Sequence, residues 1–246
     1  MQKTALITGG GTGLGQAIAK QLAAKNVRVY IVGRRLQKLC ETQAFYPDNI
    51  INIRGDVSTP AGRKFIAKKL VDVQLDYLVH NAAIVTPIVP LHQTNLKDFR
   101  KTHATNVEGP LFLTQLLFSQ LNPEARILHI SSDCAKLPLA RWTTYCTSKA
   151  AISMMSACLK KELLEKNIYV GSIDPGMMDT PMQRYICQDE IQFPEKYSLE
   201  ELIREKLLLS PDYSAGLCVK LLLEFSPHAF SQQEYCAYDE ASFLSV

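Results

Sequence analysis

Residues 8–15 of this 246-residue chain read Thr8-Gly9-Gly10-Gly11-Thr12-Gly13-Leu14-Gly15, directly after the apolar run Ala5-Leu6-Ile7. A turn this rich in glycine, between a buried strand and an amphipathic segment, admits few folds. It needs positions that tolerate positive φ, and it leaves backbone open for close approach because no β-carbon stands in the way. The helix that follows presents free N–H groups and the positive end of its dipole to the turn, which suits a phosphate. A glycine motif alone is weak evidence. Here the strand before it and the helix after it are both predicted, which favours nucleotide binding at Gly9, Thr12, Gly13, Leu14 and Gly15.

The rest of the chain repeats that alternation. Strands are expected at residues 4–7, 27–32, 50–53, 76–79, 126–130 and 168–173. Helices are expected at 14–25, 36–45, 61–71, 144–166 and, as one long helix, about 96–120. The strand runs are rich in Val, Ile and Leu with little alternation, as in strands covered on both faces. This βαβ rhythm predicts an α/β fold: a Rossmann-type doubly wound parallel sheet with helices on both faces. No linker or repeat divides residues 1–246, so one domain is expected. From 175 to 210 the rhythm breaks, with Pro175, Pro181 and Pro194, and this stretch reads as a substrate lid leaving the sheet. A last helix (213–225) and a short strand (235–238) close the chain.

Composition narrows the function. A formal charge of +3 with scattered Lys and Arg gives no reason to invoke nucleic acid or an anionic membrane. No apolar run reaches a membrane span, and the opening residues lack the basic–apolar–small series of a secretory leader. The seven cysteines are odd in number and irregularly spaced, with no CxxC. They read as reduced thiols of a cytoplasmic protein, with neither a disulfide framework nor a metal site. The five histidines show no ligand spacing and read as structural or surface residues.

Tyr145-Cys146-Thr147-Ser148-Lys149 places a phenol and an ammonium four residues apart, on one face of a helix. A free tyrosine titrates at about 10, and a neighbouring cation lowers that value. Such a tyrosine can hand a proton to a carbonyl oxygen, or take one from an alcohol. Ser132 ends a strand thirteen positions earlier, where its hydroxyl can stabilise charge on a reacting oxygen. Ser131 would point the other way. With its Thr-Gly-x-x-x-Gly-x-Gly turn and Tyr-x-x-x-Lys, the chain resembles the short-chain dehydrogenase/reductase family over nearly its whole length. The resemblance implies catalysis by Tyr145, Lys149, Ser132 and Asn106, with Lys149 also holding the nicotinamide ribose. In that family the asparagine's main-chain carbonyl holds a water in a proton relay. Pro110, four residues beyond Asn106, has no N–H and cannot take the helical bond from that carbonyl. We therefore expect Pro110 to help keep it free.

The same resemblance extends to the loops. Asn81, Ala82 and Ala83 match most of an Asn-Asn-Ala-Gly element, with His80 and Ala83 departing from it. Asp56 and Val57 match the adenine contact, although a turn or N-cap role for Asp56 is the plainer alternative. Pro175, Gly176 and Thr180 match the Pro-Gly-x-x-x-Thr that borders the nicotinamide carboxamide and pyrophosphate. The second strand ends Val32-Gly33-Arg34-Arg35, with no carboxylate to receive a ribose 2′-hydroxyl and two guanidiniums suited to a 2′-phosphate. NADP(H) is the expected cofactor rather than NAD(H), with Arg34 favoured for the phosphate and Arg35 left open. Thr12 weighs against this, because some NADP(H)-binding relatives carry a basic residue there.

Residues 175–183 resemble the Pro-Gly-x-x-Asp-Thr-x-Met-Gln of the sepiapterin reductase and benzil reductase-like branch. Cys236 stands where the sepiapterin enzymes have a pterin-anchoring Asp, which favours a general ketone or α-diketone. Asp133, Cys134, Trp142, Met177, Met178 and Met182 are candidate pocket walls, the methionines for their adaptability. The expected activity is NADPH-dependent reduction of a small carbonyl to an alcohol. The alternatives are an NAD-dependent alcohol dehydrogenase and a non-catalytic NADP(H) sensor or scaffold. Apolar residues at Leu111, Phe112, Leu116, Leu117, Ala150, Met154 and Met155 suit a homodimer or homotetramer interface, or plain core.

Overall fold

A computed structural model describes residues 2–243. Seven strands form one parallel sheet: β1 (Thr4–Thr8), β2 (Arg28–Gly33), β3 (Ile50–Arg54), β4 (Leu75–His80), β5 (Leu121–Ile130), β6 (Tyr169–Asp174) and β7 (Glu234–Cys236). Their order is β3-β2-β1-β4-β5-β6-β7. The order reverses between β1 and β4, and the crevice at the carboxyl ends of those strands is where such sheets bind ligands.

The expected lack of alternation follows from burial on both faces. Ala5, Ile7, Val29 and Ile31 pack into one core with α1 (Gly13–Ala24), while Leu6, Val32, Leu78 and Ile127 face a second core on the opposite side. Helices α2 (Leu36–Gln43) and α3 (Pro60–Lys69) follow β2 and β3, and α2 contributes Leu39 to the first core while α3 contributes Ile66 to the second.

The long helix expected over 96–120 is divided. It comprises α4 (Leu96–His103), a π-type turn over Ala104–Glu108, and α5 (Gly109–Leu116), with a separate 3₁₀ turn at Phe118–Gln120. The Gly109 N–H reaches back to the Ala104 carbonyl, five residues earlier, which is the π-type bond. Pro110 is the second residue of α5 and supplies no N–H of its own. Helix α6 (Thr143–Leu164) is unbroken.

The excursion after β6 contains α8 (Lys196–Arg204), which its acidic–basic helical stretch suggests, and α7 (Pro181–Ile186), which was not expected. Next come α9 (Pro211–Leu223) and an unexpected α10 (Pro227–Gln232), and the last strand begins one residue earlier than its pattern suggested. Helices α3, α7, α9 and α10 share one local cause. Thr59, Thr180, Ser210 and Ser226 each accept a hydrogen bond from the N–H three residues on, and proline follows each cap. At α1 the Thr12 side chain makes no such bond, and the first turn holds no acid.

Candidate active site

One cavity of about 830 Å³ runs along the carboxyl edge of the sheet from the glycine turn to the aromatic side chains of Trp142 and Phe193. It is lined by nearly every residue expected to bind or react: Gly9, Thr12, Gly13, Leu14, Arg34, Asp56, Val57, Asn81, Ala82, Ala83, Ser132, Tyr145, Lys149, Pro175, Gly176 and Thr180. Gly15 and Asn106 are absent from this lining and shape it from behind.

The turn is built for close packing. A β-carbon on Gly15 would lie 2.4 Å from the Gly9 carbonyl oxygen, so only glycine lets α1 start there. The Asn81 side chain donates to the Thr8 and Gly9 carbonyls at 2.9 and 3.3 Å. The Asn81 and Ala82 N–H groups both donate to the Thr8 hydroxyl at 3.1 Å. Thr8 was missed as a site residue, although it opens the Thr-Gly motif. These bonds tie β1 to the loop after β4 and leave the start of α1 without a side-chain cap, open to the cavity. Uncapped N–H groups beside a cleft fit a pyrophosphate.

Arg34, Arg35 and Lys38 surround the end of β2, and no acidic residue stands at that end of the strand. The Arg35 guanidinium donates to the Thr12 hydroxyl at 3.4 Å, which draws Arg35 to the mouth as well as Arg34. Lys38 was missed; its place one turn beyond Arg34 was the available signal. Asp56 serves both readings. One carboxylate oxygen accepts from the Ser58 N–H and hydroxyl at 2.9 and 2.7 Å, as a turn residue does, while Asp56 also lines the cavity. Val57 likewise packs against Gly109 at the head of α5. His80 is fully removed from the cavity: it bonds the Thr114 hydroxyl at 2.7 Å and stacks on His129. Gly176 has φ of +75° and a β-carbon there would press on Leu209, so glycine is required at the turn after β6.

Ser132, Tyr145 and Lys149 share one wall. The Ser132 hydroxyl donates to Asp133 at 3.0 Å and accepts from the Cys134 N–H at 3.2 Å. Ser131 turns the other way, onto Ser153 of α6, as expected from strand geometry. The Lys149 ammonium donates to the Ile130 carbonyl at 2.8 Å and lies 5.6 Å from the centre of the Tyr145 ring. Burial pushes the Lys149 ammonium down to about 8, opposed by Cys134 and Asp174. Burial also pushes the Tyr145 phenol above the ordinary tyrosine range; Cys134 adds to this, and the Ser132 side chain opposes it. The lowering expected from Lys149 is not found; desolvation sets the shift, and Tyr145 holds its proton at neutral pH.

Asn106 sits in the π-type turn with its side chain fully engaged. It accepts from the Ile84 N–H at 2.9 Å and donates to the Ile84 carbonyl and the Ser148 hydroxyl, each at 2.9 Å. It thus fixes the loop after β4 against α6 beside Tyr145. Ser148 was not anticipated. The far end of the cavity is apolar and aromatic: Trp142 meets Tyr145 and Phe193 edge-on at 6.0 and 5.2 Å. Met177, Met178 and Met182 line it as expected. Phe193 lies in the excursion, where nothing in the local pattern marked it.

The described residues form no helix long and apolar enough to cross a membrane. The family model described as short chain dehydrogenase matches residues 3–191. A benzil reductase ((S)-benzoin forming) of Bacillus cereus is 30% identical over 248 residues, covering 96% of this chain and 98% of that protein. An L-xylulose reductase of Caenorhabditis elegans is 35% identical over 189 residues, 74% of each protein. The crystal structure of a short-chain dehydrogenase/reductase from Saccharomyces cerevisiae has the same fold, with a TM-score of 0.90 at 24% identity and 98% of each chain covered. The chain belongs to the short-chain dehydrogenase/reductase family, oxidoreductases whose fold binds nicotinamide cofactors.

Proposed function

We propose that this protein reduces a neutral aryl ketone or α-diketone to an alcohol with NADPH. The observation that carries the reading is a single wall bearing Ser132, Tyr145 and Lys149, placed between a basic and an aromatic end of one cavity. The cofactor supplies the hydride. Arg34 and Arg35 bind its 2′-phosphate, Asp56 and Val57 flank the adenine, and the open start of α1 receives the pyrophosphate. Asn81, Ala82, Ala83, Pro175, Gly176 and Thr180 border its nicotinamide half.

Tyr145, protonated at neutral pH, gives its proton to the carbonyl oxygen as the carbon is reduced. Ser132 turns its hydroxyl from Asp133 to that same oxygen and stabilises the charge that grows there. Lys149 holds the ribose and, through a water held on the Asn106 carbonyl, passes a proton from solvent back to Tyr145 after each turnover. Residues 175–210 form the lid over the substrate. Away from the nucleotide end the charged side chains of the lining are Lys149 and Asp174 on the catalytic wall and the acids Asp133 and Glu195, with no cation besides Lys149. That disfavours carboxylate- or phosphate-bearing substrates and favours neutral ones, held by Trp142 and Phe193. The relatives that reduce benzil and L-xylulose are in keeping with a small carbonyl substrate. Exposed Leu111, Phe112 and Leu116 on α5 and Met154 on α6 support assembly as a homodimer or homotetramer.

The test follows NADPH absorbance with benzil, 1-phenyl-1,2-propanedione, sepiapterin and a simple aldehyde, each repeated with NADH. Turnover of a diketone with NADPH is expected. Tyr145→Phe should reduce it by at least about a hundredfold, the scale of a lost general acid. Turnover that survives the substitution would refute the role of Tyr145.

A further inference from the structure

Asp174 has no part in the chemistry described so far. It ends β6, lines the same cavity as Tyr145 and Lys149, and is half-buried. Its place is fixed from several sides. One carboxylate oxygen accepts from the Gly176 N–H at 3.0 Å, the other lies 3.9 Å from the Cys236 thiol, and its carbonyl accepts from the Ala237 N–H at 2.9 Å. Lys149 is anchored one strand away: its ammonium bonds the Ile130 carbonyl, and Ile130 pairs in register with Ile173, the neighbour of Asp174.

Two other carboxylates stand near, and both are committed elsewhere. Asp133 is held by the Ser132 hydroxyl and the Cys134 N–H, the latter at 2.7 Å. Glu234 on β7 is paired with Lys136 at 3.0 Å and accepts from the Ser153 hydroxyl. Tyr238, beyond β7, also faces Asp174 and carries its proton, its hydroxyl accepting from the Met177 N–H. A buried ammonium bonded only to carbonyl oxygens lacks a counter-charge, and an uncompensated buried charge is costly.

We propose that Asp174 is a positioning residue that acts through Lys149, supplying the negative charge that keeps the buried ammonium protonated in the working pH range. The electrostatics agree in both directions. Against the lowering by burial, Cys134 raises Lys149 most and Asp174 next; the Cys134 thiol is itself pushed up to about 12 by burial and stays neutral, and burial holds His129 uncharged, which leaves Asp174 as the charged one of the three. Burial raises the Asp174 carboxyl itself, the charges of Asp133 and Glu234 add to this, and Lys149 pulls it back. The inference rests on the proposed role of Lys149 in holding the cofactor ribose, and it extends that role to the residue just before Pro175 and Gly176.

Asp174→Asn is the discriminating variant, because its amide oxygen still accepts from the Gly176 N–H while the charge is gone. NADPH binding would be followed by nucleotide fluorescence from pH 6 to 10, with NADH in parallel, alongside the pH profile of diketone reduction. Wild-type affinity should fall as Lys149 loses its proton near 8. In Asp174→Asn that midpoint should move down by roughly half a unit to one unit, with unchanged melting temperature, and Asp174→Glu should restore most of it. If Asp174→Asn does not fold, Asp174→Glu against Asp174→Ser makes the same comparison. An unmoved midpoint, or wild-type binding with no pH dependence, would overturn the proposal. The two readings fail separately: a shifted binding midpoint without turnover of any carbonyl sinks the proposed reaction and leaves Asp174 standing.

Discussion

Arg34 and Arg35 lie at the same end of the cavity but in different settings. Both are exposed, and only Arg35 has a polar contact that fixes its direction, the 3.4 Å bond to Thr12. A guanidinium already drawn to the turn loses little freedom on meeting a phosphate, whereas Arg34 must be ordered by the ligand. Lys38 is engaged with Glu41 at 2.6 Å and is a weaker competitor for a phosphate. Arg34→Ala and Arg35→Ala should therefore each weaken NADPH binding by about tenfold to a hundredfold, the range of a lost charge-assisted contact. NADH binding, measured by the same titration, should stay within about threefold, because no 2′-phosphate is involved. Equal losses for the two nucleotides would mean that the arginines support the turn itself and do not read the phosphate.

At the level of elements, the π-type turn over Ala104–Glu108 shows what a sequence pattern hides. Apolar residues at helical spacing from 96 to 120 read as one helix, because a π-type turn changes the bond from four residues to five while disturbing periodicity little. Pro110 was the visible sign of interruption, and Asn106 the reason to look. The strands and the order of motifs were legible because burial on both faces leaves continuous apolar runs, as in Ala5-Leu6-Ile7, and because glycine at residue 15 answers a contact that no other residue could tolerate. Ser148 and Phe193 were not legible, since Asn106 and Trp142, which give them their place, lie far away in the chain and no local pattern marks such a contact; Thr8 was visible as the opening of the Thr-Gly motif, but its bonds to the loop after β4 were not. In the excursion the acidic–basic stretch from Lys196 was legible as helical, while α7 had its local signature in Thr180-Pro181, obscured by the surrounding prolines. Pro110→Ala tests the functional side of the interruption. It supplies an N–H four residues beyond Asn106, able to compete for that residue's carbonyl. Steady-state rates should show kcat lowered about threefold to tenfold at unchanged NADPH affinity. Unchanged kcat across the pH range would show that the carbonyl does not need protecting.

Within the molecule as a whole, the core away from the cavity holds a buried polar pair, His80 and His129, in register on β4 and β5 and stacked at 5.1 Å. Each has one ring nitrogen bonded, to Thr114 and Ser156, and one without a hydrogen-bond partner among the described residues. Neither can be protonated cheaply. Burial holds His80 well below the usual histidine value, with His129 adding to the effect; burial likewise holds His129 at about 4, aided by Lys149. A base whose folded value is depressed stabilises the fold above its unfolded value, and that stability is lost as pH falls. The unfolded chain takes up a proton at 6.5 that native His129 refuses until about 4. The window therefore lies between these values, and His129 alone should cost roughly 2 kcal/mol by pH 5. Lys149, at about 8 against an ordinary 10.5, works in a separate alkaline window and does not mask the effect. His129→Phe keeps a ring on His80 and cannot titrate. Urea unfolding at pH 7.5 and at pH 5 should show the wild type losing roughly 2 kcal/mol more than the variant over that interval, even though the variant starts lower for want of the Ser156 bond. Parallel losses would place the acid sensitivity elsewhere, with His80, also held low by burial, the next group to examine.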